Sequence, residues 1–149
     1  MKAKTFYLKF LTLFLVVFAS FLNAQNKTDI TGQWESDNDD RFRLEFFKVG
    51  NSYEARMLAG SKIVESDGRT SKKDTKNPNP QLRSRNLVGV VSLKGLIWKN
   101  DEFINGNMYN PQDGKTYTCK AWIENNKLYL RGYLGISILG KTITFHKYK

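Results

Sequence analysis

The feature that most constrains this chain is a two-residue alternation of polarity, recurring in short segments from Thr31 to Tyr148 and interrupted by turn residues. Side chains change face at every residue of a strand but return every 3.6 residues on a helix, so this period belongs to strands with one packed and one wet face. Phe42, Leu44 and Phe46 oppose Arg41, Arg43 and Glu45; after Gly50-Asn51, Tyr53, Ala55 and Met57 oppose Glu54 and Arg56, which predicts a hairpin. Tyr117, Cys119, Ala121 and Ile123 oppose Thr116, Thr118, Lys120 and Trp122. Asn125-Asn126 then turns the chain, and Leu128 and Leu130 oppose Tyr129, Arg131 and Tyr133. Ile143 and Phe145 alternate with Thr142, Thr144 and His146 in a closing strand. Further strands are predicted over Lys62 to Glu65, Leu87 to Leu93, around Leu96 to Lys99, and Glu102 to Tyr109. No amphipathic helix longer than two turns is evident. About 8 to 10 strands joined mostly by tight turns predict an all-β, antiparallel up-and-down β-barrel, because closing a sheet removes its exposed edges. A sandwich is the alternative.

Residues 1–24 stand outside this pattern. Lys2, Lys4 and Lys9 precede an apolar stretch from Phe10 to Ala19, with a short polar end at Asn23. That stretch is about half of the roughly 20 residues that cross a bilayer, so it reads as a cleaved signal peptide and not as an anchor. Cleavage is expected after Ala24, with Ala19 as the competing position, and residues 25–149 are expected to form one domain, exported to the periplasm or outside a bacterial cell. Residues 1–24 hold three Lys and no acid, so the remainder carries 21 basic and 14 acidic side chains, a net +7. The lone Cys119 has no partner for an intrachain disulfide and reads as a core residue.

Between Asp67 and Asn86 the alternation gives way to Ser, Lys, Asp, Asn and Pro, with Asn77-Pro78-Asn79-Pro80 at the centre. Each Pro fixes its own φ and holds the preceding Asn extended, so the loop is stiff; Asp74 is expected to cap nearby backbone N–H groups. Asp74, Asn77, Pro78 and Arg83 are therefore candidates for the end of the barrel, as a seal across it or one wall of an entrance. Residues 69–85 carry Arg69, Lys72, Lys73, Lys76, Arg83 and Arg85 against Asp74 alone. Such an excess attracts anions. Nucleic acid is excluded by export and by the lack of aromatics interleaved with these cations; lipid head groups, with peripheral membrane contact, anionic glycans or an acidic protein fit better.

Two resemblances follow from the motifs. Gly32-Gln33-Trp34 resembles the Gly-x-Trp opening of lipocalins, in which the Trp plugs the closed end beneath a cation from a late strand; Arg131 is the first choice for that cation here, before Lys141 or Lys147. The second covers nearly the whole of the chain after the signal. Gly32-x-Trp34, Asp74-x-x-Asn77-Pro78-Asn79-Pro80 with Leu82 and Arg83, Leu87-Val88-Gly89, Gly106, Tyr109 through Tyr117, Leu130 through Gly135 and Leu139 through Thr142 are similar, in order, to the secreted bacterial family called domain of unknown function 2147. Phe145 holds the place where that family usually has an aromatic, often Trp. The resemblance implies a lipocalin-like barrel and export, and no established activity.

Tyr129, Arg131 and Tyr133 share one strand face. Pointing inward, they offer two hydroxyls and a cation to an anionic head group, or pack over Trp34; pointing outward, they form an exposed stripe and Leu128 and Leu130 fill the core. The candidate ligand set is thus Trp34, Tyr109, Tyr129, Arg131 and Tyr133, for a small amphiphilic or anionic ligand of the cell envelope bound by a monomer. The alternative is a solid barrel that docks on an envelope polymer or protein through its basic loop. Little points to an enzyme. His146 is the only His, its own strand face carries Thr142 and Thr144 and no carboxylate, and with one Cys there is no zinc spacing. Phosphate-loop, dinucleotide and nucleophile-elbow motifs are missing, so no catalytic residue and no cofactor is assigned. Asp37, Asp39 and Asp40 read as a solvated turn, so no metal is assigned either.

Overall fold

The computed structural model describes residues 28–149. They form a closed barrel of eight strands: β1 (Gly32–Ser36), β2 (Arg43–Val49), β3 (Ser52–Ala59), β4 (Val91–Lys99), β5 (Glu102–Asn110), β6 (Lys115–Glu124), β7 (Lys127–Tyr133) and β8 (Lys141–Lys147). Each strand is antiparallel to the next, and β8 returns to β1 with Trp34 opposite Lys147 and Ser36 opposite Phe145. The expected up-and-down barrel is what forms, at eight strands. The predicted signal segment lies outside the described residues.

Three predicted strands resolve differently. Lys62 to Glu65 forms only an isolated bridge, Val64 to Ser71, within one long connection between β3 and β4. Leu87 to Leu93 and Leu96 to Lys99 contribute to a single β4, because Gly95 adopts φ +78° and the break in alternation there is an irregularity inside a strand. The turns obey their local chemistry. Asn125-Asn126 and Asn100-Asp101 all take positive φ, the requirement of the two-residue hairpin that matches strand twist.

One end of the barrel carries the β2–β3, β4–β5 and β6–β7 hairpins, and the lead of residues 28–31 crosses it. Trp34 Nε1 donates to Ile30 O at 2.9 Å and Tyr53 Oη to Thr28 O at 2.9 Å, tying that lead across the closed end. Trp34, Phe46, Phe103, Leu96, Leu128 and Phe145 fill the interior above it without solvent contact, with the Tyr53 ring edge-on to Phe103. Cys119 is part of this filling, and burial pushes its thiol up to about 12. The opposite end carries the longer connections, residues 37–42, 60–90, 111–114 and 134–140.

Candidate functional site

The closed end is plugged as expected, but by a different cation. Lys147 Nζ stands 4.6 Å from the centre of the buried Trp34 ring and donates to Thr31 O, while burial lowers the Lys147 pKa from its ordinary value. The register decides this, since β8 is the strand beside β1 and Lys147 lies directly across from Trp34. Arg131, the first choice from the sequence, does not cover Trp34. It lies on β7 opposite Thr142 and faces out.

Tyr129, Arg131 and Tyr133 therefore do not gather around an interior ligand. Leu128 and Leu130 are solvent-free in the core, and a strand cannot turn both faces inward. Tyr129 stacks on Trp122 of β6 on the outer wall, with ring centres 5.3 Å apart and planes within 7°. Arg131 donates from Nε to Ser137 O at 2.8 Å, from Nη1 to Thr142 Oγ1 at 2.8 Å and from Nη2 to Ile138 O at 3.0 Å, so it braces the β7–β8 loop.

Tyr109 belongs with the long connection. It alternates with inward-facing Met108, and its hydroxyl donates to Asp74 Oδ1 at 2.5 Å. Asp74 is fully buried and accepts at Oδ2 from Asn77 Nδ2 at 2.7 Å and from Arg85 Nε and Nη2 at 2.9 and 2.8 Å. Burial, with the Asp74 hydrogen bond second, raises the Tyr109 phenol to about 12. The expected backbone capping falls instead to Asn77 Oδ1 and Asn79 Oδ1, which accept from the N–H groups of Asn79 and Gln81 and start the short helix Pro80–Leu82. Exposed Arg83 donates to Asn77 O at 2.8 Å, Lys76 to Gln112 O at 2.6 Å, and Pro78 is exposed. The loop is thus fastened to β5 and the β5–β6 turn. Asp74 and Asn77 act as its anchor, with every polar atom of Asp74 engaged inside the protein.

A different set of side chains lines the open end. Alternation continues inward on β5 to Met108, on β6 to Tyr117, on β7 to Gly132 and on β8 to Ile143 and Lys141. Lower on these same faces Phe103, Cys119, Ala121, Leu128, Leu130 and Phe145 are sealed from solvent, whereas Met108, Tyr117, Gly132 and Ile143 are only half-buried and Lys141 is exposed. A side chain at Gly132 would meet Met108 Cε at 2.9 Å and Tyr117 Cβ at 3.8 Å, so the absence of one lets Met108 pack against the β7 backbone. The Tyr117 hydroxyl is drawn to Asp113 Oδ2 at 2.5 Å, which raises its pKa. The open end thus presents half-buried apolar side chains, with the Tyr117 hydroxyl and the exposed Lys141 beside them. The signal for them in the sequence is that Met108 follows Gly106, Tyr117 precedes Cys119 and Ile143 precedes Phe145 at the two-residue period; that they meet at one height depends on several strands together.

His146 gains a carboxylate that its own strand does not supply: Nδ1 lies 2.7 Å from Asp37 Oδ1, and Asp37 Oδ2 also binds Lys127 at 2.8 Å. Asp40 turns instead to Lys62 at 2.6 Å, so the acids of this turn are divided between separate cations.

Comparison with solved structures finds protein HP1028 from the human pathogen Helicobacter pylori, described as belonging to the lipocalin family, at 30% identity and a TM-score of 0.71 over 82% of this chain and 84% of that one. Comparison with curated proteins returns no match. The family model described as "Uncharacterized protein conserved in bacteria (DUF2147)" matches residues 32–147, β1 to β8, and the chain belongs to that family.

Proposed function

We propose that the barrel binds one small amphiphilic anion at its open end. The observation that carries this is the gradient along the inward faces of β5 to β8: solvent-free below, half-buried at Met108, Tyr117, Gly132 and Ile143, with the exposed Lys141 at the rim. In this reading an apolar tail lies against Met108 and Ile143 and an acidic head meets Lys141, while the Tyr117 hydroxyl is already given to Asp113. Eight-stranded barrels of lipocalin type can hold single small ligands, and HP1028, to which the chain is similar, is described as a lipocalin. In this reading residues 1–24 direct export and the ligand comes from the cell envelope. Docking through the basic loop is less favoured, because Lys72, Lys73, Lys76, Arg83 and Arg85 each hydrogen-bond within the protein and hold the connection together.

The test is native mass spectrometry of residues 25–149 with a long-chain fatty acid as probe, on the parent and on Gly132→Leu, which puts a bulky side chain where Met108 packs and so crowds the open end. One bound fatty acid on the parent and none on Gly132→Leu is the expected result. Equal binding to both, or no binding and no thermal stabilisation of the parent, overturns the proposal.

A further inference from the structure

We propose that the β7–β8 loop docks the open end of the barrel on an anionic lipid surface. Leu134, Ile136, Ile138 and Leu139 are 54%, 62%, 78% and 78% exposed, and no charged residue lies between Tyr133 and Lys141. Single exposed aliphatics are ordinary, but four on one short loop mark a surface that something covers. The carbonyls at the tip of the loop, Ile136 to Ile138, are bonded within the protein. Ser137 O and Ile138 O accept from Arg131 at 2.8 and 3.0 Å, Ile136 O accepts from Leu139 N at 3.3 Å, and Gly140 N donates to Ser137 O at 3.0 Å.

A segment entering the apolar part of a bilayer loses water from its carbonyls, and only internally bonded ones tolerate this. Arg131 provides that bonding from the barrel wall and is itself fixed by Thr142. A protein partner would supply hydrogen bonds of its own, and the anchors of protein interfaces are typically Trp, Tyr and Arg, which the tip lacks. Charge supplies the second half of the argument. Exposed Lys141 directly follows the loop and Asp40 nearby is held by Lys62. Lys72, Lys73, Lys76, Arg83 and Arg85 are tied down and make no dock of their own, but except for Arg85 on Asp74 their acceptors are neutral, so their charge still adds to the field at this end. Apolar side chains flanked by cations are what an anionic interface binds. This surface does not depend on whether a ligand occupies the open end.

The test is co-sedimentation of residues 25–149, which retain all eight strands and lack the apolar N-terminal stretch, with vesicles of phosphatidylglycerol and phosphatidylcholine and with phosphatidylcholine alone. The protein is expected to pellet with the anionic vesicles, to partition about tenfold less as Ile138→Asp with an unchanged melting temperature, and to lose its anionic preference as Lys141→Glu. Absence of pelleting, or pelleting unaffected by Ile138→Asp, overturns the proposal. Self-association abolished by Ile138→Asp, without vesicle binding, assigns the loop to a second copy of the chain and overturns it equally.

Discussion

Replacing Asp74 tests how the long connection is held. Its carboxylate is solvent-free and receives donors only: Tyr109 Oη on Oδ1, and Asn77 Nδ2 with both Arg85 nitrogens on Oδ2. Asp74→Ala removes every acceptor at once. Breaking a buried pair by deleting one partner costs about 3–5 kcal/mol. The Arg85 side chain is 34% exposed and recovers some hydration, so a loss near the lower limit, about 3 kcal/mol, is expected. Asp74→Asn behaves differently, because its amide oxygen can stay at the Oδ2 position for Asn77 and Arg85 while its NH2 donates to a rotated Tyr109 hydroxyl. Only charge assistance is lost, and a cost of about 1–2 kcal/mol follows. Urea unfolding followed by Trp fluorescence reads the difference. At a slope of about 1–3 kcal/mol/M the midpoint falls by about 1–3 M for Asp74→Ala and by roughly one third to two thirds of that for Asp74→Asn. Trypsin, with Lys72, Lys73 and Lys76 to cut, reports the loop separately from the barrel. An Asp74→Ala protein with an unchanged midpoint and unchanged trypsin resistance would refute the anchor, and a costlier Asp74→Asn would refute the donor count.

Tyr109 gives a pH signature of known sign. Its folded pKa, about 12, lies above the ordinary 10.0, so its stabilisation is fully present below about pH 10 and is lost as pH rises toward 12. Tyr109→Phe is expected to flatten that alkaline loss in unfolding curves recorded between these limits. Lys147→Ala removes the cation over Trp34 and is expected to cost about 0.5–2 kcal/mol and to shift the Trp emission, whereas Arg131→Ala leaves the Trp34 environment unchanged; thermal melts and fluorescence separate the two. Cys119 is sealed and its thiol pushed up to about 12, so iodoacetamide at pH 8 is expected to modify it only after unfolding, as counted by mass spectrometry. Gly106→Ala sets a Cβ 2.5 Å from Cys119 Sγ, an overpacking expected to cost about 1–3 kcal/mol in the same melts.

The alternation of Leu128 and Leu130 against Tyr129, Arg131 and Tyr133, and of Cys119 and Ala121 against Lys120 and Trp122, is local, and the short chain between turns leaves it little choice of partner. The all-β barrel, its hairpin order and Trp34 at its start were therefore legible without coordinates. Gly95 and the segment Lys62 to Glu65 were misread because a strand irregularity and a bridged loop break the period in the same way as a turn. Everything that depends on closure was beyond reach. Lys147 rather than Arg131 covers Trp34, and His146 meets Asp37, because β8 pairs with β1, a contact between residues more than a hundred positions apart. Asp74, within the connection between β3 and β4, likewise meets Tyr109 on β5 only after β4 has been laid down between them. The half-buried open end arises because the inward faces of four strands lose burial at one height, which no single strand records. Period is a property of neighbours in the chain, whereas register and depth arise only once the last strand has found the first.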